Sequence, residues 1–513
     1  MRRSYLWCGV ALLLAAPVQA DTPKPKRLRN IWEATYLEGA KLGYTHTTID
    51  EVERDGKKVL VTAGKMLLTI KRYNAVTEQR FESGSEETPD GKLRSLSFTM
   101  AIGKEKQTLT GKIDGDKVIV TGADGKGVSL PWDAKAIGPA RQDRLFAAKK
   151  VKPGDKLDYL TFELALGMPI TLRAVVKDQE EVDLLEPKKA GDTIKVERVK
   201  RKLLRVEVTP DKIEINGNPI PLPRQVLWLD KDFSIVRSET DMPGLGKITS
   251  YRTTEEVALQ KGVAPELLPD LGLNNIIKLN KALKSPLSSK SAVYRITLPG
   301  ETDPGTTFAG DNRQTVKNVK DDSFELHVKS QRDAAEVDPP AKIKDEFTKS
   351  CFFIDSDDEK IKALAAKIVG KETDPWTKAR RIEKWVHEKM TGDASVDFMP
   401  ASKIARELKG DCRQHGVLTA ALCRAAGVPP RTAIGLIYLE LGDQGPSLGF
   451  HLWTEVFVKG QWLGLDATLG QGGVGVGHLK ITDSSWAGIQ TLAPTLPVIR
   501  VLGRAKIEVL KEE

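Results

Sequence analysis

The sequence predicts an α+β protein: antiparallel β-rich modules come first, and a domain of mixed helices and strands closes the chain. Three observations carry this. From about residue 30 to 258, strand-like apolar and β-branched runs are separated by Asp-Gly, Gly-Lys and Lys-Gly turn signals. Beyond "EVDPPAKI" (336–343) the apolar spacing becomes helical, with Ile361, Leu364, Ala365 and Ile368 at i, i+3, i+4, i+7. Strand-like runs return after the last helical stretch. A chain of 513 residues is too long for one core, so several units are expected.

The first twenty residues read as a leader rather than as part of the fold. Arg2 and Arg3 precede the apolar "LWCGVALLLAAPV", and Val18-Gln19-Ala20 offers a small-residue cleavage site. An exported protein, periplasmic or extracellular, is the expectation. No later run approaches the roughly 18 apolar residues of a membrane span.

Residues 21–260 are expected to form a β-rich domain. "WEATYLEGAKLGYTHTTIDEV", "KVLVTAGKMLLTIKRY", "LRSLSFTMAIG" and "KVIVTGADGKGVSL" are its first strand-like runs, and "DGKK" (55–58) and "IDGDKV" (113–118) are hairpin turns. His46 stands alone there, with no chemical cluster around it. Residues 261–340 hold a short helical connector (265–283) and a smaller β-rich stretch from "AVYRITLPG" to "SFELHVKS". The last unit, 341–513, starts with helices. Asp374-Pro375 is an N-cap and first-turn pair, Ile382, Trp385 and Val386 continue one face, and a shorter helix with Ile404 and Leu408 stops at Gly410. The next helix runs from Cys412 to Gly427, a C-cap glycine followed by Pro429-Pro430. Strands follow at "RTAIGLIYLEL", "FHLWTEVFV" and "QWLGLDAT".

A net charge of +9 is mild for this length. The basic run "KVERVKRKLLR" (195–205) has interleaved Val and Leu, as an exposed strand face would, and no nucleic-acid motif accompanies it. Cys351, Cys412 and Cys423 remain after the leader, too few for a disulfide framework and odd in number.

Cys412 has four readings: nucleophile, metal ligand with His415, disulfide partner of Cys423, or small buried residue. The disulfide fails on helix rise, since eleven residues separate the two cysteines by about 16 Å along the axis. Cys-x-x-His spacing can chelate, but no fourth ligand is evident. At a helix N-terminus, unpaired N–H groups and the dipole favour a thiolate and can receive an oxyanion. A thiolate needs a base. If Lys459-Gly460 is a two-residue turn, His451 on one strand and Asp466 at the end of the next point to the same face as diagonal neighbours. A longer loop would separate them. Cys412, His451 and Asp466 are therefore the candidate catalytic residues, with no metal or cofactor required.

With "GDCRQHGVLTAALCRAAGVPPR", "GFHLWTEVFVKGQWLGLD" and the order Cys, His, Asp in view, the region from about 350 to 482 resembles the transglutaminase-like superfamily of papain-like thiol enzymes. It looks closest to exported bacterial members, in which "DATLGQ" followed by "GHLKI" is a typical ending. The resemblance implies a papain-like C-terminal domain with Cys412 as nucleophile, His451 as general base and Asp466 as the residue that orients the imidazole. It implies acyl transfer from a peptide or side-chain amide, to water more readily than to an amine. The partner would be a peptide or protein substrate, without nucleic acid. A non-catalytic envelope scaffold is the alternative. Arg431 matches a structural position of the family. The side-chain oxyanion donor is not placed, with Trp385 the one suggestion.

The remaining residues have plainer expectations. Cys351 and Cys423 read as structural, His415 as support for the site or packing, and His478 as fixing local structure. Trp453, Phe457 and Trp462 share the His451 face, with Trp453 able to border the cleft. Glu455 calls for a structural ion pair. The segment "ELGDQGPSLGF" (440–450) either lines substrate or simply joins two strands. "GQGGVGVG" is not a phosphate loop, for it lacks the Lys-Ser/Thr and a following helix.

Overall fold

A computed structural model describes residues 25–513 except 103–104, 123–124, 126, 192, 216, 334–341, 397, 443–444 and 489–492. The leader expected at 1–20 and most of the Pro-rich boundary lie outside the described residues.

Hairpin turns build the N-terminal half into one fourteen-stranded antiparallel sheet. Its central strand, Lys26–Leu37, begins a meander of eight strands that ends at Gly127–Pro131, and on its other edge it pairs with Gly246–Thr253. From there the order returns through Ile235–Met242 and Gln225–Leu229 to the long hairpin Met168–Ala190 and Thr193–Pro210, and then to Lys156–Glu163. Both expected turns are present: Arg54 pairs with Lys57 around Asp55-Gly56, and Asp114 with Lys117 around Gly115-Asp116. The basic run in 195–205 is a solvated strand face whose charges meet acids across the hairpin, as in Arg201–Glu186 and Lys200–Glu181. His46 stacks on Trp32 at 3.7 Å and hydrogen-bonds Asn30.

The connector at 265–283 differs from its expectation. It holds two single 3-10 turns, Pro265–Leu267 and Leu273–Asn275, and the two-residue strand Ile277–Lys278. Pro265, Pro269 and Gly272 interrupt any helix, and Asp270 accepts four backbone N–H groups instead. Two of these come from Tyr73 and Asn74, the turn between strands Lys57–Arg72 and Ala75–Glu87. Both turn residues have positive φ (49° and 63°) without being glycine, so the Asp270 carboxylate offsets a strained tip.

The C-terminal unit has helices on one face of a mixed-length antiparallel sheet. The helices are Glu359–Val369, Pro375–Lys389, Ala401–Glu407 and Cys412–Ala425, with Asp374 capping the second through Thr377 N. Ile361, Ala365, Ile382 and Val386 bury their predicted face with Leu418 and Leu422 of the cysteine helix. The sheet runs Ile277–Lys278, Pro446–Val458, Pro430–Glu440, His478–Ser484, and Gln461–Leu465 pairs with the second of these. Its other face packs on a four-stranded sheet, Gln314–Lys320, Ser323–Lys329, Ser291–Thr297 and Lys506–Glu512. The C-terminal strand thus closes the small sheet that begins near residue 291, and Tyr294, Phe324, Leu436, Leu479 and Ile507 share one core. Among the described residues no helix is long and apolar enough to cross a membrane.

Candidate active site

Cys412 is the first residue of the helix Cys412–Ala425. The Asp411 carboxylate accepts from Arg413 N at 2.9 Å, and Gln414 Oε1 accepts from Asp411 N at 3.0 Å, a reciprocal cap. Gly410 (φ 148°) is required here, because a Cβ would lie 2.4 Å from that of Gln414. At Gly416 a Cβ would meet Leu452 Cδ2 at 2.3 Å. This missing side chain lets the helix approach the strand carrying His451, and Thr454 Oγ1 donates to Gly416 O at 2.8 Å across the same contact.

Lys459 and Gly460 form the two-residue turn, both with positive φ, and the pairing runs from Val458–Gln461 to Thr454–Leu465. In that register His451 and Asp466 converge. His451 Nε2 donates to Asp466 Oδ2 at 2.8 Å, and the imidazole lines the same cavity as Cys412. Nε2 being occupied, Nδ1 is the nitrogen available to the sulfur. Burial would lower the His451 pKa, but Asp466 and Cys412 outweigh it and hold the value well above the usual 6.5. Burial likewise opposes ionisation of Asp466, and the two histidines on its carboxylate bring its pKa far below the ordinary range.

Two further residues hold Asp466 in place, and neither was assigned to the site from sequence. His478 Nε2 lies 3.1 Å from the same Oδ2. Burial lowers the His478 pKa, and a carboxylate can only accept, so the neutral ring donates. Glu383 accepts from Asp466 N at 3.3 Å and from Gly472 N at 3.1 Å. Burial raises its pKa to about 7. The signal for Glu383 was present, since it interrupts the apolar stripe Ala379, Ile382, Val386. His478 had none, because its partner lies across the sheet.

Residues 362–467 match the family model of the transglutaminase-like superfamily. This segment is a transglutaminase-like domain. An uncharacterized protein of Haemophilus influenzae is 36% identical over 81 residues, which span 15% of this chain and 22% of that protein's length. Among solved structures, a candidate cysteine protease from Cytophaga hutchinsonii aligns with 42% of this chain and 83% of its own, at 18% identity and a TM-score of 0.29. A β-barrel-like protein with a domain of unknown function from Brucella abortus aligns with 44% of this chain and 95% of its own, at 16% identity and a TM-score of 0.31.

Within the transglutaminase-like domain the other expected residues are placed as follows. His415 Nδ1 donates to Asp411 O at 2.8 Å, which supports the cap of the cysteine helix. Trp453 is buried, stacked at 6.4 Å from His451 and edge-on to His478, so it backs the site rather than bordering the cleft. Trp385 packs against the helical core away from the residues that line the cleft. Arg431 pairs with Glu455 at 2.6 Å and lies over Trp462, while the fully buried Lys480 joins Glu455, Asp311 and Asp483. This buried ion network supplies the pair expected for Glu455 and ties the two sheets together. Cys423 is fully buried, and Cys351 accepts from Arg424 at 3.5 Å. Most of 440–450 is strand, with Leu439 and Phe450 from its flanks lining the cleft.

The cleft above Cys412 and His451 is a cavity of about 670 Å³. The N-terminal sheet forms one of its walls: Arg72, beside the Tyr73-Asn74 turn, hydrogen-bonds the Asp411 carboxylate. Among the described residues, His451, Asp466 and His478 bring ligand atoms within 4.8 Å of one another, a donor set with the right chemistry for a transition metal. Their distances are those of hydrogen bonds to one shared oxygen, Asp466 Oδ2.

Proposed function

We propose that this chain is an exported thiol-dependent acyl-transfer enzyme that hydrolyses peptide or side-chain amides. The Cys412 thiolate attacks the carbonyl carbon, forming the S–C bond. The oxyanion is received at the helix N-terminus, where the Cys412 N–H has no intrahelical acceptor. His451 then delivers its proton to the departing nitrogen, and the C–N bond breaks. Asp466 keeps the imidazole aimed at the sulfur. Water activated by His451 releases the acid and restores the thiol. We assign water as the acceptor because it needs no dedicated site, whereas an amine must be bound from a second substrate.

The observation that supports this reading is Cys412 at a helix start in the same cavity as His451, whose imidazole donates to a buried and doubly held carboxylate. Export rests on the leader pattern of Arg2, Arg3, the apolar run and Ala20.

The test is a peptide and amide screen with and without a primary amine, read by mass spectrometry on the chain and on Cys412→Ala. Hydrolysed products that vanish in the variant are expected. Products formed only with the amine would replace hydrolysis by cross-linking. Failure to turn over any amide, together with a Cys412 that iodoacetamide labels no faster than Cys351, would leave the fold as a scaffold.

A further inference from the structure

We infer, resting on the thiol-enzyme reading above, that the acyl side of the substrate is a peptide residue with a bulky apolar side chain. Its seat is built jointly by the N-terminal sheet and the transglutaminase-like domain. The transglutaminase-like domain contributes Val396, Phe398, Ile434 and Phe450 to the cavity, and the N-terminal sheet contributes Ile70 and Ala75 opposite them. The charged side chains that line it besides His451 are Arg72, Asp411 and Arg413, and they pair with one another at the helix cap. What is left for a ligand is mostly apolar surface in the same cavity as the sulfur, with Thr77, Gln79, Asn275, Thr468 and Thr495 as its uncharged polar lining.

The cavity has room for such a side chain: about 670 Å³ lies within the range of small-molecule sites. The opposite wall is fixed rather than adventitious. Asp270 clamps the Tyr73-Asn74 tip through two backbone N–H groups, and Arg72 anchors it to Asp411. After the amine has left, the group that stays on the sulfur is the acyl group, so a walled apolar space beside Cys412 suits that side of the bond. The N-terminal sheet is then part of the specificity of the enzyme and not a spacer.

Two chloromethyl ketones, derived from N-acetylglycine and N-acetylphenylalanine, test this on the full chain, with iodoacetamide as a small control. In each case the Cys412 sulfur forms a bond to carbon as halide leaves. The phenylalanine reagent should label Cys412 about 50-fold faster than the glycine one, as expected for a filled apolar pocket. Ala75→Trp, which fills the cavity from the sheet side, should cut that preference about tenfold with the iodoacetamide rate unchanged. Ile70→Ala, a milder change, should cut it several-fold. Equal rates for the two ketones, with Cys412 still alkylated by iodoacetamide faster than Cys351, overturn the apolar seat alone. Iodoacetamide labelling no faster at Cys412 than at Cys351 overturns the thiol-enzyme reading instead, so the two failures are distinct.

Discussion

His451 and His478 bind the same oxygen of Asp466, at 2.8 and 3.1 Å, from two strands separated in the sheet by Pro430–Glu440. The aspartate is therefore aimed by a second histidine that never faces the cysteine. His478→Phe removes one donor from a buried carboxylate. The expected outcome is a loss of about 1–3 kcal/mol in stability and roughly tenfold in kcat, with KM unchanged. His478→Gln, which can still donate an N–H, should restore most of both. Kinetics and thermal denaturation on the two variants check this; equal losses in Phe and Gln would mean the ring serves packing alone.

Asp466→Asn keeps the size of the side chain and removes the charge. Burial then acts on His451 with only Cys412 left to oppose it, so the His451 pKa should fall from its raised value. NMR titration of the imidazole reads that shift directly. With the tautomer no longer fixed, kcat should drop about 10³–10⁴-fold. An unchanged His451 titration would remove Asp466 from its orienting role.

Local pattern made the site legible, and long-range pairing hid the rest. The Cys412 helix showed its start in Gly410-Asp411 and its end in Gly427, both of which are local backbone requirements. The Lys459-Gly460 turn set the register that brings His451 to Asp466, because strand alternation propagates from the turn. His478 reaches Asp466 only through the pairing of His478–Ser484 with Pro430–Glu440, and nothing near residue 478 announces that neighbour. The wall formed by Ile70, Arg72 and Ala75 was invisible for the same reason, as more than 300 residues separate Arg72 from Asp411. The connector at 265–283, expected to be helical, is not, because its prolines and the demand of the Tyr73-Asn74 tip for an acceptor prevailed.

Asp270 offers a test of that wall from outside the cleft chemistry. Burial opposes its charge, but four backbone N–H bonds outweigh this and hold its pKa below the usual carboxylate value. The stabilisation is thus present above the ordinary carboxylate range and is lost as pH falls through the depressed value. Asp270→Ala should cost about 2–3 kcal/mol and abolish that acid-side dependence. The released tip should lower kcat/KM for amides with bulky apolar residues several-fold while iodoacetamide still alkylates Cys412. Loss of both reactions together would point to a general collapse of the domain.

Glu383 carries the opposite sign. Its folded pKa, about 7 against an ordinary 4.5, reflects burial first, with Asp466 adding to the rise and backbone donors and Arg332 opposing it. Below 4.5 the residue is protonated in both folded and unfolded chains, and the fold suffers no penalty. Between 4.5 and 7 the unfolded chain releases its proton while the folded one keeps it, so stability declines as pH rises. The full loss, about 3 kcal/mol, is reached above the folded value. Glu383→Gln retains the oxygen that accepts from Asp466 N and Gly472 N but has no proton to release. Urea unfolding from pH 4.5 to 8 should show this decline in the native chain and a nearly flat profile, higher by up to about 3 kcal/mol at pH 8, in the variant. Parallel profiles in the two proteins would show that Glu383 is ionised in the fold and that another group carries the pH dependence.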